Sequence, residues 1–255
     1  MDDLQSIILI VAAGGLGTRL GDFTGGKPKA LLEIAGRPLL SLSLEEVPIT
    51  PSSHIVIVSQ PKWMDSCIAV ASDSFPNAHI TGVYQPQPFG TLDALQRALI
   101  ALQTKHNQPS LNRPIVFLLG DNVPAHHVIK LGLKNLSSYD AVFFSRQVTR
   151  PGTSAILVRD SAGNPKAFRR QKAEEEEASV EICGGLYIYT PLIGQKIPTY
   201  RRPTRLHDRE WNVDWLNAQL LADKRVYIVQ TVGTWIHINT TNDIEKANLL
   251  FKTHN

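Results

Sequence analysis

The stretch Val11–Leu40, VAAGGLGTRLGDFTGGKPKALLEIAGRPLL, follows directly on the apolar run SIILI. Gly14, Gly15 and Gly17 close that run, and Arg19, Lys27 and Lys29 come soon after. Glycines let a backbone approach a ligand closely, and successive free N–H groups form a concave site for an anion. Arginine suits a bidentate grip on phosphate, whereas lysine supplies a mobile point charge. Pro28 separates the two lysines and fixes the chain between them. The pattern predicts a phosphate site.

Two familiar phosphate motifs nearly fit here and both fail. A dinucleotide fingerprint, GxGxxG, would need a third glycine where Leu20 stands, which Gly21 misses by one position, and a helix after the loop. The segment GDFTGGKP, Gly21–Pro28, approaches GxxxxGK[ST], but Pro28 replaces the hydroxyl residue and lacks an N–H for the cradle. A carboxylate appears further along, where FLLGDN ends an apolar run at Asp121. In open α/β sheets ligands gather beyond the carboxyl ends of strands, so Asp121 is placed to hold Mg²⁺ on a triphosphate.

These residues require a scaffold of buried strands, and the sequence supplies one. Strands are expected over residues 7–12, 54–59, 79–84, 115–119 and 141–144. Helical patterns fall between them over 39–46, 62–71, 91–103 and 125–136. PIVFLLGD has no polar alternation, as in a parallel strand buried on both faces. Beyond residue 150 a hairpin around Ser161–Asn164, a strand in VEICGGLYIYTP and a helix in EWNVDWLNAQLLAD follow. Strands RVYIVQ and TWIHIN then lead to a closing helix with Asn242 as its N-cap. The rhythm predicts an α/β fold: one domain over residues 1–255, with a nucleotide-type half to about 150 and, from about 151, a half that adds strands and covers the substrate (the sugar-phosphate half, by the resemblance described below). AEEEEAS and YRRPTRLHDRE read as solvated loops.

Composition narrows the class. The net charge of +3 over 255 residues is too small for a nucleic-acid or membrane-surface protein. No apolar stretch approaches the length needed to span a bilayer, and the N-terminus has acids where a leader would be basic. Cys67 and Cys183 lack any CxxC spacing, so neither zinc nor a disulfide framework is indicated and a cytoplasmic setting is expected. His126 and His127 have no third ligand at suitable spacing.

The long signature VAAGGLGTRL…KPKALLEIAGRPLL resembles that of the sugar-1-phosphate nucleotidylyltransferases, with glucose-1-phosphate thymidylyltransferase the similar branch. The resemblance implies a three-layer α/β/α Rossmann-like nucleotidyltransferase fold with a mixed, mostly parallel sheet. It implies that Ala13, Gly14, Gly15, Gly17 and Thr18 wrap the nucleotide, Arg19 holds the outgoing pyrophosphate, and Lys29 bridges charge on the α-phosphate. Lys27 is assigned to the same pocket. YQPQPFGTLDALQRAL resembles the base-reading segment, which places Gln85 at the base edge with Gly90 and Thr91 beside it. Asp121 matches the family's metal ligand. NPKAFRRQKA…EICGGLYIY resembles the sugar-phosphate segment and nominates Lys172 and Gly185, with Tyr187 nearby. There Gln171, Ala173 and Cys183 replace the usual acid, proline and asparagine, so Arg169 or Arg170 stands as an alternative charge. TWIHINTTNDIEKAN resembles the closing motif, but His237 stands where the second metal-binding aspartate belongs. An imidazole suits Mn²⁺ better than Mg²⁺, and Asn239 offers an oxygen two residues on.

The resulting expectation is an enzyme joining a nucleoside triphosphate, dTTP or UTP, to a sugar 1-phosphate with Mg²⁺ (or Mn²⁺), its partners being these small molecules and, as an open point, further copies of itself. Two other readings stay open. One is a cytidylyltransferase acting on a small alcohol phosphate such as phosphocholine, and the other is a regulator that binds a nucleotide sugar without turnover.

Overall fold

The computed structural model describes residues 6–105, 112–125, 127–149, 154–171, 179–199 and 211–252. Four parallel strands form its first half: β1 (Ile8–Ala12), β4 (His54–Ser59), β5 (His79–Tyr84) and β6 (Ile115–Leu119), in the spatial order β5-β4-β1-β6. Between β1 and β4 lie the short ribbon of β2 (Glu33–Ile34) and β3 (Arg37–Pro38) and helix α1 (Leu39–Glu45). Helices α2 (Met64–Ser74) and α3 (Thr91–Lys105) make the following crossovers. The short strand β7 (Asn122–Val123) leads to α4 (Val128–Asn135) and then to β8 (Ala141–Val148).

The second half builds on the same sheet. The hairpin β9 (Ala155–Arg159) and β10 (Pro165–Arg169) precedes β11 (Val180–Tyr189), short α5 (Ile193–Lys196), α6 (Val213–Ala222), β12 (Val226–Gln230), β13 (Ile236–His237) and α7 (Thr241–Lys252). β11 runs antiparallel to β6 and inserts between it and β8, which pairs in parallel with β12. Its register shifts between Cys183 and Tyr187, at Gly184–Gly185. On the other edge of β11, residues 186–189 pair with β6 while Ile182 and Cys183 pair with β9. The sheet therefore forks at the bulge, opening a gap beyond the carboxyl end of β6.

Strand alternation divides the core into two layers. Ile8, Ile10, Val56, Val58, Phe117 and Phe143 pack beneath α3 and α6. Leu9, Val11, Ile55, Ile57, Leu118 and Phe144 pack against α1, α2 and α4 on the opposite face. This is the expected three-layer α/β/α arrangement with a mixed, mostly parallel sheet.

Three boundaries differ from expectation for identifiable reasons. Pro61 opens a 3-10 turn over Pro61–Trp63, so α2 begins at Met64 rather than at residue 62. The helix predicted from residue 125 starts at Val128, because Asn122–Val123 is drawn into pairing with β13 and His127 takes a left-handed φ of 64°. The cap of α7 is Thr240, not Asn242. Asp243 Oδ2 accepts from the Thr240 N–H at 2.8 Å, and Thr240 Oγ1 accepts from the Asp243 N–H at 3.3 Å, a reciprocal capping box. His126, most of the acidic loop (residues 173–178) and the basic loop over residues 200–210 lie outside the described residues.

Candidate active site

A cleft of about 940 Å³ opens over the carboxyl ends of β1 and β6 and the fork beside β11. Its wall contains Ala13, Gly14, Gly15, Gly17 and Thr18 from the loop after β1, Lys29, Gln85, Gly90 and Thr91, Asp121, Gly185 and Tyr187, and His237. Residues spread over the whole chain thus converge on one space.

The floor is a charged network. Lys29 opens a short 3-10 turn, Lys29–Leu31, and its N–H donates to Gly15 O at 2.9 Å, which ties it to the glycine loop. Its ammonium donates to Asp121 Oδ2 at 2.9 Å, to Ile238 O at 2.6 Å and to Asn239 Oδ1 at 3.1 Å. All three of its protons are therefore engaged. Gly17 has φ +62°, and a Cβ there would come within 2.7 Å of Lys29 Cγ, so the third loop glycine makes room for the lysine stem.

Asp121 is held from both oxygens. Asn122 Nδ2 donates to Oδ1 at 2.7 Å, and His237 Nε2 stands 3.7 Å from Oδ2. Burial raises the Asp121 pKa, but the hydrogen bonding and charge of His237 and Lys29 prevail and hold it well below the usual carboxylate range. Asn239 Nδ2 lies 3.1 Å from His237 Nδ1, on the side of the ring away from Asp121. Strand pairing sets this geometry: β13 lies antiparallel to β7 with His237 opposite Asn122, and the Ile238 N–H donates to Asp121 O at 3.0 Å.

The donor set fits a hard divalent cation. An ionised carboxylate, an amide oxygen on Asn239 and an imidazole lie around one lysine that an ion could displace. Among the described residues no cluster of three or more His, Cys, Asp or Glu side chains gathers, so substrate phosphates would have to complete the shell.

Two glycines of the cleft wall have positive φ. Gly90 (φ +104°) lies against Trp211, whose carbonyl oxygen would be 2.4 Å from a Cβ. Gly185 (φ +88°) sits in the β11 bulge, where a Cβ would be 2.2 Å from Asn122 Oδ1. Both residues line the cleft, but their missing side chains accommodate protein neighbours. Thr91 is the first residue of α3. It joins the two halves, since the Val213 N–H donates to its hydroxyl at 2.9 Å.

One expected residue stands elsewhere, and two fall wholly or in part outside what is described. Lys27 is exposed and is not among the residues of the cleft wall: its N–H closes a turn onto Thr24 O, and Pro28 sends only Lys29 inward. Arg19 has its backbone in the turn Thr18–Thr24, while its side chain lies outside what is described. Lys172 lies outside the described residues.

The wall also contains residues that sequence reading did not select as site candidates: Asp214, Asn212 and Ser154, with Arg170 and Gln171 beside them. Arg170 pairs with Asp214 at 2.7 Å, and burial nevertheless pushes the Asp214 carboxyl up. An Asp in the first turn of a helix reads from sequence only as favourable to the helix dipole, which hid it. Arg146 is buried under the bulge. It donates to Gly184 O at 3.1 Å, lies 4.6 Å from the centre of the Trp235 ring, and is pushed down to about 10 by burial.

Comparison with known proteins places the chain in a family and identifies its fold. The family model for a MobA-like NTP transferase domain matches residues 9–184. Mannose-1-phosphate guanyltransferase from Kluyveromyces lactis is 24% identical over 246 residues, covering 95% of this chain and 64% of that protein. The Saccharomyces cerevisiae protein of the same name is 23% identical over 250 residues, again covering 95% and 64%. The chain thus spans about 64% of the length of these curated relatives. A provisionally assigned glucose-1-phosphate thymidylyltransferase from Bacillus anthracis, solved with sucrose, superposes with TM-score 0.77 at 19% identity over 96% of this chain and 95% of that one. A UDP-glucose pyrophosphorylase solved with UDP-glucose gives 0.75 at 16% identity over 98% and 100%. These two likenesses establish the fold.

Proposed function

The chain belongs to the MobA-like NTP transferase family, and from that premise we propose that it joins a nucleoside triphosphate to a sugar 1-phosphate, releasing pyrophosphate. The observation that carries this reading is the convergence of the loop after β1, Lys29 and Asp121 with the β11 bulge on one cleft. The same reading treats residues 1–255 as one nucleotidyltransferase domain, with the nucleotide on the side of β1–β6 and the sugar phosphate beside β11.

In this mechanism a phosphate oxygen of the sugar 1-phosphate attacks the α-phosphorus in line, and the bond to pyrophosphate breaks. The nucleophile is already an anion, so no general base is required. The protein's task is to bring two polyanions together and to neutralise charge growing on the leaving group. The amides of Gly14, Gly15 and Gly17 bind the triphosphate. Lys29 exchanges its contacts with Asp121 and Asn239 for the α-phosphate. Arg19 is assigned to the pyrophosphate, and Gln85 meets the base. Asp121, with Asn239 and His237 near it, would hold a divalent cation, Mg²⁺ by its oxygen donors, which when bound neutralises phosphate charge. Lys172 or Arg170 completes the sugar-phosphate end.

The related proteins are named guanyltransferases, whereas the structural neighbours are named for thymidylyl and UDP-glucose chemistry. GTP therefore joins dTTP and UTP as a candidate donor. The experiment is pyrophosphate release over a grid of GTP, dTTP, UTP, CTP and ATP against several sugar 1-phosphates and phosphocholine, in Mg²⁺ and in Mn²⁺. A productive pair with a sugar 1-phosphate is expected. Turnover only with phosphocholine, or no turnover at all, would overturn the proposal.

A further inference from the structure

Gln85 is buried at the end of β5, and its amide is not free to turn. Nε2 donates to Gly90 O at 3.0 Å and to Asp93 Oδ2 at 2.9 Å. A carbonyl and a carboxylate accept only, so the end of Gln85 that faces them has to be the NH₂. Both of its protons are then used. Asp93 is in turn pinned by Arg97, one helical turn on, whose Nε donates to the same Oδ2 at 2.7 Å. What remains of Gln85 for a ligand is Oε1, which lies 3.3 Å from the position a Cβ would take on Gly14, on the wall of the cleft.

We infer that Asp93 is a specificity-determining positioning residue: by fixing Gln85 with its carbonyl toward the cleft, it selects nucleobases that present a ring N–H at that point. An unrestrained glutamine reads either kind of edge, because rotation about its last bond exchanges donor for acceptor. A fixed carbonyl reads one. Guanine carries N1–H, and uracil and thymine carry N3–H, at the centre of the pairing edge. Adenine N1 and cytosine N3 place a lone pair there, directly opposed to the lone pairs of Oε1. A buried acceptor facing an acceptor is left without its hydrogen bond, which makes the discrimination larger than a missing contact alone would. The selected class is therefore guanine, uracil and thymine nucleotides.

The inference rests on the proposed use of the cleft for a nucleotide, but its test does not require turnover. The measurement is equilibrium binding of GTP, UTP, dTTP, ATP and CTP to wild-type protein and to Asp93→Ala, Asp93→Asn and Gln85→Leu. Wild type is expected to bind at least one of GTP, UTP or dTTP about tenfold or more tighter than ATP and CTP. Asp93→Ala, which removes one of the two acceptors on Nε2 and leaves the Gly90 carbonyl alone to hold the amide, should narrow that ratio by about threefold or more. Asp93→Asn keeps an oxygen able to accept from Gln85 and Arg97 and should retain the wild-type ratio. A purely structural role would weaken all five nucleotides together. Equal weakening in Asp93→Ala, or a wild type that prefers ATP or CTP, overturns the inference. Should Asp93→Ala fail to fold, Gln85→Leu decides, since a retained ratio in that variant means that Gln85 does not read the base. Base-selective binding without pyrophosphate release would refute the proposed activity and leave this assignment standing. Turnover with a base ratio indifferent to Asp93 would do the reverse.

Discussion

Lys29 and Asp121 are ninety-two residues apart in the chain, yet the lysine ammonium lies 2.9 Å from Asp121 Oδ2 at the floor of the cleft. The pair joins the glycine loop to the end of β6, and Ile238 and Asn239 close over it from the C-terminal motif. A cation and an anion assigned above to phosphate chemistry thus hold one another in place.

Replacing Lys29 with methionine keeps the stem and removes the charge. Turnover is expected to fall about 10²- to 10³-fold, the usual cost of one electrostatic donor on developing charge. The melting temperature should fall as well, because Asp121, Ile238 O and Asn239 Oδ1 lose their donor, so turnover is compared at a temperature where circular dichroism shows the variant folded. A steady-state kcat within threefold of wild type would exclude Lys29 from the chemistry.

Asp121→Asn should lose at least about a thousandfold in activity, and chelation of divalent metal should silence the wild type to a similar degree. His237 stands 3.7 Å from the same carboxylate oxygen. If its ring joins the metal shell, His237→Ala will lower the Mn²⁺-to-Mg²⁺ activity ratio by about tenfold. An unchanged ratio, with activity lowered in both metals, would leave His237 as a hydrogen-bonding neighbour of Asp121 alone.

Gly185→Ala should cost about 3 kcal/mol of stability, because the new Cβ meets Asn122 Oδ1 and the backbone has φ +88°. Activity should fall as well, since Asn122 donates to Asp121. Gly163→Ala is the matched control. It has φ +84° in the turn of the β9–β10 hairpin with nothing within 4 Å of the added Cβ, so only strain of about 1 kcal/mol is expected. Denaturant melts of the two variants measure the difference directly.

Asp214 gives a pH signature. Burial raises its folded-state pKa above the ordinary 3.8, with Arg170 opposing. A raised carboxyl pKa means that the folded protein binds the proton more tightly than the unfolded chain, so this residue's contribution to stability falls as pH rises through that window. Asp121 and Asp140 shift the opposite way, so the difference between variant and wild type isolates the effect. Asp214→Asn should gain in melting temperature relative to wild type as pH rises from below 3.8 to neutrality. A constant difference across that range would refute the assignment.

The strands at His54–Ser59 and Ile115–Leu119 stand where residue pattern alone puts them, because buried parallel strands need unbroken β-branched and apolar runs, and the half-buried edge strand His79–Tyr84 also falls at its expected place. Lys29, Asp121 and the loop glycines were legible as phosphate chemistry for a related reason: charge and glycine at the end of such a run have few other uses. The sequence by itself therefore determined the α/β class and the strands of the first half, and it set the expectation of an anionic ligand. It did not separate Lys27 from Lys29, since two lysines around one proline look alike until the turn onto Thr24 is formed. Nor did it reveal Asp214, or Asp93 behind Gln85, whose meaning lies in what faces them. Tertiary structure alone decided the pairing of β7 with β13, which brings His237 opposite Asn122, and the fork of the sheet at Gly184–Gly185. Local propensity is a property of neighbours along the chain. A site closed by residues 29, 121 and 239 exists only after hydrophobic burial has folded those segments onto a common sheet.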